Sequence, residues 1–240
     1  MRIVAVIPAR LASTRLPGKV LRPIAGVPML GWVYRAALAC PQLDRVLIAT
    51  DSSEVVAYAD SEGWPSVMTS SDLPSGADRV HAVSRLIDAD IYVNIQGDEP
   101  LLRREHIDAL LRPFALAVAE VTTLSTPCSP AEVDDPNAVK VVTASDGRAL
   151  YFSRASIPYN RGIAMPPRKH LGLYAYRKAA LARFAGLPPS PLEMTERLEQ
   201  LRLLENGIDI YVEHTTFTTI GVDTEADLLA VEQVLQQLAR

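Results

Sequence analysis

Cysteine is scarce in this chain, and aromatic residues are few. Only Cys40 and Cys128 occur among 240 residues, far apart and in apolar or turn contexts. That excludes a disulfide framework and a cysteine-rich metal site, and it fits reduced thiols. No apolar run approaches the roughly 20 residues that a membrane-spanning helix needs. The one in MRIVAVIPAR is short, and no small-residue cleavage site follows a longer one. A mature cytoplasmic protein without membrane insertion is expected. Positive charge is not in excess either, since 24 Lys and Arg face 28 Asp and Glu for a formal net charge of -4. Polyanions are therefore not attracted in general, nucleic acid is not an expected partner, and any phosphate contact has to come from locally placed Arg and Lys. Neither GxGxxG nor GxxxxGK[ST] follows the first apolar run, which argues against a dinucleotide-dependent dehydrogenase and a Walker-type NTPase.

What is present is a strand–helix alternation. Apolar, β-branched runs at Ile3–Ile7, Val46–Thr50, Ile91–Ile95 and Val121–Leu124 have the character of strands buried on both faces. Between them, Pro28–Cys40, Ser53–Glu62, Asp78–Ile87 and Arg104–Phe114 space apolar residues at helical intervals, and Asp51-Ser-Ser-Glu54 offers a capping box to the second. Repeated strand then helix means an α/β chain with a parallel sheet covered on both sides. At 240 residues, one elaborated domain is expected. After about Pro127 the pattern becomes β-rich. Val139–Thr143 and Ala149–Ser153 flank a turn at Asp146-Gly147, Leu192–Asn206 has a helical pattern stopped by Gly207, Ile210–His214 is a further strand, and Thr224–Arg240 is a closing amphipathic helix.

In open parallel sheets ligands bind beyond the carboxyl ends of the strands. Three clusters fall there. Pro8-Ala-Arg10 through Arg15-Leu-Pro-Gly-Lys19 places three cations and a glycine after the first strand, where Arg10 and Arg15 can fork onto phosphate oxygens and Lys19 can supply a point charge. An isolated basic loop would more often be a solvated turn, and its place at a strand end reverses that preference. Asn94-Ile-Gln-Gly-Asp98-Glu-Pro100 follows the strand at Ile91 and puts a carboxylate where a hard Mg²⁺ could sit between protein oxygen and substrate phosphate; the plain alternative is a turn or cap. Gly221-Val-Asp223-Thr-Glu-Ala-Asp227 precedes the last helix, where Asp223 or Thr224 could simply be the N-cap. If Thr224 caps, Asp223 is left to face the site, and two carboxylates from distant sequence on one Mg²⁺ is a common phosphoryl-transfer arrangement.

Together with Ser75-Gly76 and Arg79, Asn137-Ala-Val-Lys140, Tyr151-Phe-Ser-Arg154, His170-Leu-Gly and Leu198-Glu-Gln-Leu-Arg202, these clusters run in an order that resembles the 3-deoxy-manno-octulosonate cytidylyltransferase family, the CMP-Kdo synthetases, over essentially the whole chain. The resemblance implies a Rossmann-like three-layer nucleotidyltransferase fold over residues 1–240. It implies a mostly parallel central sheet and an inserted β-rich dimerisation segment at about 135–192. It also implies a homodimer, Mg²⁺ as cofactor, and transfer of CMP from CTP to the anomeric hydroxyl of Kdo for lipopolysaccharide biosynthesis. Arg10, Arg15 and Lys19 would grip the CTP phosphates, with Ala9, Ser75, Gly76 and Arg79 near the cytidine. Asp98 and Asp223 would hold magnesium, so that Lys19, Arg10, Asp98 and Asp223 carry the catalysis. Gln96, Arg154, His170, Tyr174 and Glu199 would form the sugar-acid site.

Plain readings stand beside these. Arg154 and Tyr174 could be exposed strand residues, Glu199 could pair with Arg202 or Arg197 on one helix, and His170 could be a solvated loop residue. His81, His106 and His214 carry no implied role, and Met29, Trp32 and Phe114 are expected in the core. Ala77 stands where the family usually has Thr, and Asn160–Lys169 is short for the family; both bear on which sugar acid is taken. The alternatives are a cytidylyltransferase for an 8-amino-Kdo or sialic-acid-like substrate, and a non-catalytic nucleotide-sugar binding protein.

Overall fold

In a computed structural model, residues 1–12, 15–116, 119–162 and 165–238 are described. Ser13 and Thr14 of the first basic loop, residues 163 and 164 of the short Asn160–Lys169 segment, and the last two residues of the closing helix pattern lie outside them. The chain gathers into two compact units, Met1–Ile107 with the residues from Thr219 onward, and Asp108–Thr218.

The elements run in the order β1 (Ile3–Ala9), β2 (Pro23–Ile24), β3 (Val27–Pro28), α1 (Met29–Leu38), β4 (Arg45–Thr50), α2 (Ser53–Ser61), β5 (Ser66–Met68), α3 (Gly76–Ser84), β6 (Ile91–Asn94) and α4 (Arg104–Ala115). Then come β7 (Val121–Pro127), β8 (Lys140–Thr143), β9 (Ala149–Ser153), β10 (Arg168–Arg177), α5 (Lys178–Gly186), α6 (Pro191–Glu196), α7 (Leu201–Glu205), β11 (Ile210–His214) and α8 (Glu225–Leu238).

The first unit is built on a parallel sheet in the order β6-β1-β4-β5, with Val4 opposite both Arg45 and Tyr92. Every residue of β1 and β6 is buried, as strands covered on both faces require. The chain moves from β1 outward to β4 and β5, then returns past β1 to β6. Right-handed crossovers therefore put α1 and α2 on one face and α3 on the other, and the reversal leaves a crevice at the carboxyl ends of β1 and β6. This is the α/β sandwich around a parallel sheet that the strand–helix alternation predicts. Ser52, not Asp51, is the N-cap of α2: its hydroxyl accepts from Glu54 N and Val55 N at 3.2 and 3.3 Å, and with Val55 at the third helical position there is no reciprocal acid to complete a box. Asp51 is occupied elsewhere, by the guanidinium of Arg79.

In the second unit β7 lies between antiparallel β10 and parallel β11, and the start of β10 pairs with the β8–β9 hairpin. The hairpin turns at Asp146-Gly147 as expected, with Gly147 at φ 89, a conformation that favours glycine. Two expectations are corrected. Only the plain reading of Tyr174 pointed to a strand within residues 168–177, yet β10 forms over the whole stretch and bulges between Leu171 and Tyr174. The single helix expected over Leu192–Asn206 is two, α6 and α7, because Arg197 adopts the left-handed conformation (φ 57) and ends the first. Met29 and Phe114 are core residues, 0% and 2% exposed.

Candidate active site

A cleft of about 400 Å³ opens at the carboxyl ends of β1 and β6, entirely within the first unit. Its walls are Pro8, Arg10, Ala12, Arg15, Lys19 and Val20 after β1, Pro74, Ser75 and Gly76 at the start of α3, Gln96, Gly97 and Asp98 after β6, and Asp223 before α8. Eight of the sequence-derived candidates are thus brought together: Arg10, Arg15, Lys19, Ser75, Gly76, Gln96, Asp98 and Asp223. Ala9 ends β1 and is buried, and Arg79 is buried with its guanidinium on Asp51 and Thr69; neither lines the cleft.

Asp98 and Asp223 converge for reasons that are visible. Val222 N donates to Asp98 O at 3.0 Å, so the two loops are joined backbone to backbone. Val222 is itself buried in an apolar cluster with Leu16, Ile24, Met29, Leu228 and Val231, which seats α8 against the loop that carries Lys19. Thr224 and Asp227 then cap α8 reciprocally: Thr224 Oγ1 accepts from Asp227 N at 3.2 Å, and the Asp227 carboxylate accepts from Thr224 N at 2.8 Å. Capping is thereby supplied without the Asp223 side chain. Asp223 Oδ1 instead meets Lys19 Nζ at 3.0 Å and Arg15 Nη2 at 2.9 Å, while Lys19 Nζ also donates to Asp98 Oδ2 at 2.6 Å. One ammonium therefore bridges two carboxylates from opposite ends of the unit.

The charges act on one another. Burial works to lower the Lys19 pKa, but Asp98 and then Asp223 outweigh it and the net displacement is upward, so the side chain stays an ammonium. Arg10 is displaced downward by burial and then by the nearby cation Arg79; its guanidinium donates to Leu73 O. Ser75 caps α3, accepting from Asp78 N at 3.2 Å, so the amides of the first turn open at the cleft wall beside Gly76. At Gly97 the β6 exit runs close against β1: a Cβ there would lie 2.8 Å from Pro8 O. Sequence reasoning missed Gly97, although a glycine directly before a carboxylate at a strand end is a signal of close backbone approach. Three cations against two carboxylates give the cleft the sign that suits a polyphosphate, and Asp98 with Asp223 are the oxygen donors a hard cation prefers.

The other sequence-derived residues lie in the second unit. Arg154 gives its side-chain donors to three backbone carbonyls, Glu196 O at 2.7 Å, Pro136 O at 2.9 Å and Arg197 O at 3.4 Å. It is a clamp between loops here, not the exposed strand residue of the plain reading. Fully buried Lys140 reinforces that clamp through Asp135 O and Arg154 O, both at 2.8 Å. His170 is a half-buried residue of β10 and not a loop residue. Its Nε2 lies 2.9 Å from Thr123 Oγ1, and crowding by Phe152 and Tyr174 strips away water and brings its pKa down to about 3. Tyr174 is buried, and its phenol is raised well above its ordinary range by burial first and by Glu199 second. Arg202 pairs with Glu193.

The chain can be set beside known proteins on this basis. The cytidylyltransferase family model matches residues 4–210. A 3-deoxy-manno-octulosonate cytidylyltransferase of Acidobacterium capsulatum is 65% identical over 237 residues, covering 98% of this chain and 97% of its own length. One from Koribacter versatilis is 55% identical over 239 residues, covering 98% and 91%. The solved structure of a CMP:2-keto-3-deoxy-manno-octonic acid synthetase complexed with CTP superposes with a TM-score of 0.95 at 42% identity, covering 99% of both chains. A full-length match at this identity, on a chain whose cleft gathers the residues the ordered motifs single out, means that the protein belongs to the 3-deoxy-manno-octulosonate cytidylyltransferase family.

Proposed function

We propose that the protein transfers the cytidylyl group of CTP to the anomeric hydroxyl of Kdo. The hydroxyl oxygen bonds to the α-phosphorus, the bond from that phosphorus to the bridging oxygen of the β-phosphate breaks, pyrophosphate leaves, and the hydroxyl proton passes to solvent. The observation that carries this reading is the convergence of Arg10, Arg15 and Lys19 with two remote carboxylates in one cleft at the sheet's switch point. Arg10, Arg15 and Lys19 bind the triphosphate and offset the negative charge that builds on the departing pyrophosphate. The first-turn amides of α3 beside Ser75 and Gly76 add fixed positive dipoles at the same wall. Gln96 and the carboxylates hold the reactants in line, and positioning supplies much of the rate in a reaction that needs little covalent help.

Asp98 and Asp223 fit a Mg²⁺ ion. They are both oxygen donors, and among the described residues no group of three His, Cys, Asp or Glu forms a complete cage, so substrate oxygens and water would supply the remaining ligands. When bound, such an ion neutralises phosphate charge and lowers the pKa of a coordinated hydroxyl. Gln96, Arg154, His170, Tyr174 and Glu199 serve as the sugar-acid contacts, and about 135–192 supplies a homodimer contact, in a cytoplasmic enzyme serving lipopolysaccharide synthesis.

The test is pyrophosphate release with Mg²⁺ and each of four nucleoside triphosphates, with and without Kdo. Release with CTP and Kdo alone is expected. Release with CTP and a different sugar acid would move the substrate and keep the chemistry. Asp98→Asn is expected to lower kcat/KM by at least about 100-fold with the fold intact; a variant releasing pyrophosphate at nearly the wild-type rate would remove Asp98 from the site.

A further inference from the structure

A lysine whose whole task is to hold phosphate needs no carboxylate partner, yet Lys19 touches two. Its ammonium sits 2.6 Å from Asp98 Oδ2 and 3.0 Å from Asp223 Oδ1, with only 12% of the side chain exposed. The backbone beneath it is fixed: Gly18 is left-handed at φ 65, Lys19 N donates to Leu16 O, and Leu21 N donates to Gly18 O. Leu16 and Val20 on either side are buried. Asp98 and Asp223 are tied to each other through the Val222–Asp98 backbone bond. The part of the assembly that the backbone does not fix is therefore the four-carbon stem of Lys19, which carries a compact charge with three donors.

We propose that Lys19 is a positioning residue as well as a phosphate contact. In the nucleotide-free protein its ammonium is an internal counter-ion that keeps Asp98 and Asp223 together and holds divalent cations off them. The phosphates of an arriving nucleotide draw the ammonium away and open the carboxylate pair. This rests on the nucleotidyl-transfer reading above and adds an order to it. One oxygen of each carboxylate, Asp98 Oδ2 and Asp223 Oδ1, is already taken by Lys19, and Asp223 Oδ1 is shared with Arg15 at 2.9 Å. A cation arriving alone has to displace a bound charge from both carboxylates, whereas one arriving with a triphosphate meets oxygens that give Lys19 a new partner. Nucleotide and cation therefore favour each other's binding, and by linkage the coupling is reciprocal. Without the lysine, the same two carboxylates would repel each other and take up any hard cation present.

The experiment uses Mn²⁺ as the probe, titrated without nucleotide into the full-length protein and read by the loss of the free Mn²⁺ spin-resonance signal. Lys19→Met is expected to bind Mn²⁺ at least tenfold more tightly than wild type, with the gain abolished in the Lys19→Met, Asp98→Asn double variant. Lys19→Arg, which retains the charge, is expected to remain within about threefold of wild type. Equal or weaker Mn²⁺ binding by Lys19→Met at a site that Asp98→Asn removes would overturn the counter-ion role and leave the transfer chemistry standing. A tenfold gain in Lys19→Arg would also overturn it. No Asp98-dependent Mn²⁺ binding in any variant would overturn the role together with the metal assignment, while the pyrophosphate assay still decides the reaction. Lys19→Gln carries the same test if Lys19→Met does not fold.

Discussion

Gly97→Ala asks how closely the two strand exits must approach. A Cβ at residue 97 would stand 2.8 Å from the carbonyl oxygen of Pro8, whereas ordinary contact begins near 3.4 Å, a shortfall of 3.4 − 2.8 = 0.6 Å. The obstacle is backbone, in a strand held on both sides: Pro8 pairs with Ala49 of β4, and β1 is also laddered to β6 from Ile3 to Val6. The β6 exit loop has to give instead, and it carries Gln96 and Asp98. Overpacking of this kind costs about 1–3 kcal/mol. For a chain of this size that lowers the melting temperature by roughly 2–12 °C. Because a 1 Å misplacement in a reacting centre can cost on the order of 100-fold, a shift of about half that predicts a loss of about tenfold in kcat/KM.

The control lies across the same cleft. A Cβ on Gly76 would meet Gln96 Nε2 at 3.4 Å, Pro8 Cγ at 3.5 Å and Asn94 Nδ2 at 3.6 Å, all ordinary contacts. Gly76→Ala is therefore expected to melt within about 2 °C of wild type. Thermal melts and pyrophosphate release on the two variants decide the matter. If Gly97→Ala melts as close to wild type as Gly76→Ala does and releases pyrophosphate at the wild-type rate, the close approach of Pro8 and Gly97 does not hold the site.

Two further outcomes follow from buried polar groups. Asn94 is 0% exposed, and among the described residues neither end of its amide has a hydrogen-bond partner; since an unsatisfied buried polar group costs about 1–3 kcal/mol, Asn94→Leu is expected to raise the melting temperature, and a fall would mean that the amide is satisfied in the folded protein. His170 stays neutral in the fold, its pKa brought from 6.5 to about 3, so the unfolded chain binds a proton that the folded one refuses. Its contribution is present above pH 6.5 and is lost as pH falls from there toward 3, by up to about 1.4 kcal/mol per pH unit. Urea melts of His170→Asn between pH 4 and 7 should show a flatter decline than wild type, and parallel curves would contradict the burial.

Much of the first unit was legible because β1, β4 and β6 are buried on both faces and so appear as short, nearly unbroken apolar runs. The second unit was less so, for local reasons. β10 begins Arg168-Lys-His and bulges between Leu171 and Tyr174, so neither continuous apolarity nor strict alternation marks it. The break between α6 and α7 falls on Arg197 in a left-handed conformation, where the usual glycine signal is absent. Asp51 has the right spacing to cap α2, but the buried guanidinium of Arg79 takes its carboxylate and leaves the cap to Ser52. Chemical type and spacing say which residues can do a job. They do not say which of two neighbours a distant partner will claim.

The candidate site divides along the same line. The basic loop and Asp98 could be singled out because each follows a strand directly, and a strand's carboxyl end is a place the topology defines. Asp223 follows no strand of its own unit. Its position comes from residues with no chemistry of their own, Val222 and the apolar faces of Leu228 and Val231, which bury against Leu16, Ile24 and Met29 and thereby draw the start of α8 to the loop bearing Lys19. A substitution in that cluster would separate the two carboxylates without touching either. The arrangement that performs the chemistry is therefore held by packing, and a sequence read only for charged and polar motifs passes over the residues that bring Asp223 to Asp98.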